Sequence, residues 1–134
     1  AGEEIETKRL SGLTILVVED EPDQRQLLNE YLAMDHHTVE TESDGREGLA
    51  SFMNGDYDLI IMDRSMPKMS GNELATEIKA KTPEKPIIML TGFGNMMEAA
   101  EEEVDGVDIV LSKPVEREQL REAICEAMKD EGAD

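Results

Sequence analysis

The sequence predicts an α/β doubly wound domain, in which helices cover both faces of a parallel sheet. Short apolar runs alternate along the chain with amphipathic helical segments, and this alternation is typical of parallel βα units. The run from Leu59 to Met62 has no polar break, as expected for a central strand that is buried on both faces. The chain has 134 residues, which is enough for one domain with a sizeable core.

Five segments are predicted to be strands because they are short, largely apolar and rich in β-branched residues: 13–18, 37–41, 58–62, 86–90 and 107–111. The second is half polar, so we expect it at an edge of the sheet. Asp63 follows the third, and we expect it to be the first residue beyond that strand.

A helix-like segment follows each predicted strand, and the five lie at about 22–34, 44–53, 71–82, 95–103 and 116–129. Pro22 is tolerated in the first turn of a helix, where its missing N–H costs nothing. Asn54-Gly55 and Pro83 are expected to end the second and third helices. The side chains that we expect to face the core from the second helix are Leu49, Phe52 and Met53.

The predicted domain spans residues 13–129. Residues 1–12 are polar and are interpreted as a tail or linker, and residues 130–134 as an acidic C-terminal tail. Because the chain opens on Ala1 rather than on methionine, we interpret its start as that of a segment cut from a longer protein or as a tag remnant; a stand-alone domain is the alternative to excision.

Composition restricts the function further. A formal charge of −19 argues against nucleic-acid binding by this domain and favours cation binding wherever carboxylates cluster. A single cysteine, Cys125, excludes an intrachain disulfide and indicates a reducing, cytoplasmic setting. The sequence has no apolar run of membrane-spanning length and no signal-peptide pattern, so we expect no membrane contact by this domain.

Polar residues follow four of the predicted strands: Glu19 and Asp20 the first, Asp63 the third, Thr91 the fourth and Lys113 the fifth. Parallel strands end at one edge, where open α/β sheets bind their ligands, so we expect these side chains to converge. Clustered carboxylates repel one another, and Lys113 together with a hard cation such as Mg²⁺ would compensate them. A carboxylate in such a site can attack a phosphoryl donor and carry the phosphoryl group.

These residues lie within segments that resemble the receiver domain of two-component response regulators. The resemblance covers about residues 13–129, and the motifs occur in order at 16–22, 61–71, 90–92 and 112–114. It implies a flavodoxin-like (βα)5 fold with a five-stranded parallel sheet in the order 2-1-3-4-5.

The resemblance also implies roles for the residues at the strand ends. Asp63 would be the phosphoacceptor. Glu19 and Asp20 would hold Mg²⁺ (or Mn²⁺) directly or through water, together with Asp63 and the backbone carbonyl of Ser65.

Three further residues receive roles in the same way. Thr91 would be the switch hydroxyl, Lys113 would pair with the phosphate, and the Lys113–Pro114 peptide bond would be cis. The phosphoryl donor would be a histidine kinase or a histidine phosphotransfer domain. A downstream protein partner would bind the face formed by the predicted fourth helix, the fifth strand and the last helix.

The sequence departs from the family pattern at Val110, where an aromatic residue is usual, so coupling between Thr91 and that ring is in question. Ser65 and Phe93 occupy positions that often tune loss of the phosphoryl group. Our hypothesis is that Phe93 screens the acyl phosphate from water; alternatively, it only packs on its loop.

Other function classes are also considered. A haloacid-dehalogenase-type hydrolase needs a second acid two residues after Asp63, where this chain has Ser65. A flavodoxin-like electron carrier needs aromatic residues to stack a flavin, and aromatics are 3% of the sequence. A degenerate receiver that binds partners without phosphorylation and a receiver excised from a hybrid sensor histidine kinase are the remaining alternatives. We expect no conventional enzyme activity from the domain itself, although its parent protein could be a histidine kinase.

Overall fold

The computed structural model describes residues 12–92 and 107–131, and its elements alternate along the chain as predicted. The strands are β1 (Thr14–Val18), β2 (Thr38–Glu42), β3 (Leu59–Asp63), β4 (Ile87–Thr91) and β5 (Ile109–Ser112). The helices within the described ranges are α1 (Pro22–Met34), α2 (Gly45–Asn54), α3 (Gly71–Lys81) and α4 (Arg117–Glu131).

The five strands form one parallel sheet in the order β2-β1-β3-β4-β5, which confirms the predicted topology. The half-polar strand β2 lies at an edge, as expected, and β3 lies in the centre. In the register, Val18 pairs with Met62 and Asp63 pairs with Leu90. The carboxyl ends of the strands therefore meet at one edge, and the residues that follow them are brought together there.

Apolar side chains fill both faces of the sheet, because alternate residues of each strand point in opposite directions. Leu28 of α1 and Leu120 of α4 pack on one face, together with Ile61 of β3. Leu74 of α3 packs with Met62 on the other face. All five residues of β3 are buried, so the central strand is fixed from both sides.

The helices begin where side chains satisfy their first N–H groups. Glu21 caps α1, and Asp44 caps α2 by accepting a hydrogen bond from the N–H of Glu47. Ser70 and Glu73 form a reciprocal capping box at the start of α3. All three helices start beside the carboxyl edge of the sheet, so their caps fix the loops around that edge.

The structure differs from several expectations in detail. Asp63 and Thr91 are the last residues of their strands rather than the first residues beyond them. Met53 was expected to face the core but is 47% exposed, because Phe52 occupies the buried position of that helical turn. The last helix continues to Glu131, two residues past its predicted end.

The predicted fourth helix, 95–103, lies outside the described residues, as do residues 1–11 and 132–134. None of the described helices combines the length and the apolar character needed to cross a bilayer.

Candidate functional site: an acidic cluster at the carboxyl edge

Three carboxylates converge at the carboxyl edge of the sheet. Glu19 and Asp20 follow β1, and Asp63 ends the neighbouring strand β3. One oxygen of each carboxylate lies within 4.8 Å of the others. Glu19 and Asp63 are buried, whereas Asp20 is exposed. The cluster is thus open to solvent on one side and enclosed by the sheet on the other.

Lys113, which follows β5, completes the cluster. Its Nζ lies 2.8 Å from Oε1 of Glu19 and 3.1 Å from Oδ1 of Asp63. Its backbone N–H donates to the carbonyl of Thr91 at 2.8 Å, which ties the end of β5 to the end of β4. The peptide bond between Lys113 and Pro114 is cis. A single ammonium therefore bridges two buried carboxylates from neighbouring parts of the edge.

The electrostatics of the cluster follow from burial and charge. Burial raises the pKa of Asp63, and the Lys113 ammonium offsets part of that rise. Burial also raises the pKa of Glu19, again opposed by Lys113. Burial acts to lower the pKa of Lys113, but its ion pairs with Glu19 and Asp63 outweigh burial, so the net direction is upward. The site therefore favours added positive charge.

The donor set fits a hard divalent cation. Oε2 of Glu19 accepts the N–H of Glu21 at 3.1 Å. Its Oε1 is fully buried and has the Lys113 ammonium beside it, but no hydrogen bond of good geometry. A buried carboxylate oxygen with a free lone pair, close to two further carboxylates, is the kind of ligand that Mg²⁺ prefers.

The remaining predicted site residues are placed as follows. Ser65 is exposed in the loop directly after Asp63, and Thr91 is completely buried at the end of β4. Val110 is half-buried in β5, where it pairs with Met89 of β4. Phe93 lies outside the described residues.

Sequence reasoning missed two supports of the site. Arg25, on the first turns of α1, donates through Nη1 to the backbone carbonyl of Glu19 at 2.9 Å. A Cβ on Gly71 would overlap the carbonyl oxygen of Asp63 and lie 2.9 Å from Cα of Arg64. An arginine one turn into a helix carries no distinctive sequence signal, whereas the glycine belongs to the segment 61–71 that carries the resemblance.

Comparisons with known proteins identify the family of this chain. The family model described as the response regulator receiver domain matches residues 15–125. The transcriptional regulatory protein TcrA of Mycobacterium tuberculosis is 37% identical over 112 residues, which are 84% of this chain and 44% of that protein. The chain thus spans less than half the length of this relative.

Two solved structures have the same fold. A response regulator receiver domain protein from Clostridium thermocellum is 35% identical with a TM-score of 0.83, over 90% of this chain and 98% of that one. The receiver domain of a sensor histidine kinase from Pseudomonas aeruginosa, solved with a magnesium ion in its active site cleft, is 28% identical with a TM-score of 0.80, over 88% of this chain and 98% of that one. The chain therefore belongs to the response regulator receiver family, the domains that serve two-component phosphorelay signalling.

Proposed function

We propose that this domain accepts a phosphoryl group on Asp63 in a Mg²⁺-dependent reaction and thereby switches a protein-binding face. The observation that carries the proposal is the convergence of three carboxylates within 4.8 Å around one lysine at the edge where such sheets bind ligands. The family supplies the signalling context, and the side chains at this edge supply the chemistry.

The transfer is a displacement at phosphorus. A carboxylate oxygen of Asp63 attacks the phosphorus of a phosphohistidine, and the bond between phosphorus and the imidazole nitrogen breaks. The bonding electrons stay on that nitrogen, and the proton carried by the other ring nitrogen of the phosphohistidine makes the leaving imidazole neutral. Asp63 becomes an acyl phosphate. The Lys113 ammonium, 3.1 Å from the carboxylate, is placed to neutralise charge that develops on the phosphoryl oxygens.

Asp20, Asp63 and the backbone carbonyl of Ser65 are proposed to hold the Mg²⁺ (or Mn²⁺) ion, with Glu19 contributing directly or through water. The ion would neutralise carboxylate and phosphoryl charge that otherwise repel. Asp20 is the exposed member of the set, so it lies on the side from which an ion enters.

Thr91 and Lys113 are proposed to transmit the change. Thr91 ends β4 and Lys113 directly follows β5 at the same edge, and the backbone hydrogen bond between them couples their movements. A phosphoryl group on Asp63 adds negative charge beside them and favours the arrangement in which both contact it. The face that includes β5 and α4 would change its conformation and so its binding to a partner protein. Val110 has no aromatic ring that could move together with Thr91.

The donor is proposed to be a histidine kinase or a histidine phosphotransfer domain. Two parent architectures are consistent with the relatives: a transcriptional regulator such as TcrA and a sensor histidine kinase such as the Pseudomonas protein. The resemblance of the 66–71 and 111–114 segments to hybrid-kinase receivers supports the second architecture, and the curated transcriptional regulators support the first.

Acetyl phosphate with Mg²⁺ tests the proposal without the native donor. We expect intact-mass spectrometry to show the addition of one phosphoryl group, lost on alkaline or hydroxylamine treatment as acyl phosphates are. EDTA should abolish it, and so should Asp63→Asn. The matched control is Asp58→Asn, which removes the same charge before the opposite end of β3 and should be labelled normally.

An unlabelled wild-type chain would favour the degenerate receiver, which binds partners without phosphorylation. Labelling that persists in Asp63→Asn would show that a different residue is the acceptor.

A further inference from the structure

The loop 64–70 between β3 and α3, here called the acceptor loop, has an unusual backbone. Inside it, the N–H of Met69 donates to the carbonyl of Pro67 at 2.7 Å, and the residue between them, Lys68, has a φ of 69°. A three-residue hydrogen-bonded turn around a positive φ is a γ-turn of the rare, strained kind. Such a conformation persists in a non-glycine residue only when its surroundings hold it.

The start of α2 supplies these surroundings. A Cβ on Gly45 would overlap the carbonyl oxygen of Met69 and lie 2.8 Å from its Cβ, so the helix and the loop are in backbone contact. Beside it, Oδ2 of Asp44 lies 3.6 Å from Nζ of Lys68. Asp44 is itself fixed, because it is buried and its Oδ1 accepts the N–H of Glu47 at 2.8 Å.

The far end of the acceptor loop is equally constrained. The N–H of Gly71 donates to the carbonyl of Arg64 at 2.8 Å, and Gly71 packs against the backbone of Asp63. The junction with α3 therefore cannot move to accommodate a displacement of the Met69 backbone. Such a displacement must move the middle of the loop, which begins one residue after Asp63 and contains Ser65.

We propose that Asp44 and Gly45 are positioning residues for the cation site: they brace the acceptor loop from a different βα connection and so set the place of the Ser65 carbonyl. This inference rests on the proposed function, in which that carbonyl is a metal ligand. Groups that orient metal ligands without touching the ion affect affinity strongly, because each ligand oxygen must reach a nearly fixed distance.

Two glycines of α2 provide a matched pair of variants. Gly45→Ala and Gly48→Ala both add one methyl group to the same helix at a crowded position. The new methyl group meets the Met69 backbone at residue 45, but at residue 48 it meets the side chain of Val18, with Cγ2 at 2.7 Å. By titration calorimetry with Mg²⁺ alone, we expect Gly45→Ala to weaken binding about tenfold. Gly48→Ala should leave the Mg²⁺ affinity unchanged, even if it lowers the melting temperature as much as Gly45→Ala does.

A second variant keeps the test decisive if Gly45→Ala does not fold. In Lys68→Gly the residue adopts a positive φ without strain, so the fold is retained or stabilised. Removing a positive charge from this acidic domain should by itself tighten cation binding. A braced loop predicts the opposite: the ion pair with Asp44 is lost, the loop loosens, and Mg²⁺ binds more weakly.

Each outcome is informative. Equal Mg²⁺ affinity in wild type and Gly45→Ala overturns the positioning role of Asp44 and Gly45 but not the proposed function. If Gly45→Ala is unfolded, unchanged or tighter Mg²⁺ binding by Lys68→Gly has the same consequence. A wild-type chain that binds no Mg²⁺, or binds it as well after Asp63→Asn, overturns the metal part of the proposed function and the brace with it.

Discussion

Replacing Asp63 with asparagine should stabilise the metal-free protein and destabilise the magnesium-bound one relative to wild type. Asparagine has nearly the same shape as aspartate but no charge, so the packing at the end of β3 is retained. What changes is the electrostatic balance of the cluster, which holds three carboxylates and one ammonium among the described residues.

The magnitude follows from the distances. At an effective dielectric constant of about 20, unit charges 4.8 Å apart repel by about 3.5 kcal/mol, and an ammonium 3.1 Å from a carboxylate attracts it by about 5 kcal/mol. Two repulsions therefore exceed one attraction for Asp63, and desolvation of its buried carboxylate adds to the cost. Solvent screening of the exposed Asp20 reduces the difference, and we expect Asp63→Asn to gain about 1 kcal/mol in EDTA.

With Mg²⁺ present, wild type should be more stable than Asp63→Asn. A ligand that binds only the folded state adds about 2.7 kcal/mol of stability at a concentration one hundred times its dissociation constant. Wild type should gain this and Asp63→Asn should gain little. The assay is urea or thermal denaturation followed by far-UV circular dichroism, where each kcal/mol moves the melting temperature by about 3–5 °C in a domain of this size.

Asp58→Asn separates the local effect from relief of the overall negative charge. Asp58 lies just before the opposite end of β3, and its Oδ2 accepts the N–H of Thr14 at 2.8 Å, an interaction that an amide oxygen can keep. The prediction is refuted if Asp63→Asn is less stable than wild type in EDTA. It is also refuted if Mg²⁺ stabilises wild type and Asp63→Asn equally.

Three further predictions concern other parts of the molecule. Lys113→Met should slow labelling by acetyl phosphate about a hundredfold, because it removes the donor beside Asp63, and a mass-spectrometric time course showing the wild-type rate would contradict this. His37 is buried, its Nδ1 accepts the N–H of Leu13 at 3.2 Å, and burial lowers its pKa from 6.5. The folded state thus binds fewer protons than the unfolded state, so His37 lowers the free energy of unfolding as the pH falls below about 6.5. In urea denaturation between pH 7.5 and 5, His37→Asn should lose this part of the pH dependence. Equal pH dependence of the free energy of unfolding in wild type and His37→Asn would exclude the effect. Ser70→Ala breaks the capping box of α3 and should cost about 1 kcal/mol in the same denaturation assay, with Thr76→Ala on the exposed face of that helix as the comparison.

The fold was largely readable from local patterns. A strand buried on both faces must be apolar throughout, so β3 was identified by its composition, and half-polar β2 was placed at an edge for the converse reason. The start of α1 was indicated by Pro22. Met53 was misplaced because a short apolar segment does not specify which of two adjacent residues faces inward.

The chain by itself also determined which residues stand at the strand ends, since a polar residue that ends a buried run has to leave the sheet at its edge. Glu19, Asp63 and Lys113 were found in this way. Only the tertiary structure decided that the lysine contacts both carboxylates, because β5 reaches β1 across two intervening strands, and no pattern within one segment records distances between segments. The contact of Gly45 with Met69 was also decided by the tertiary structure. A glycine indicates that there is little room for a side chain, but the packing of α2 beside the acceptor loop determines which residue lies there.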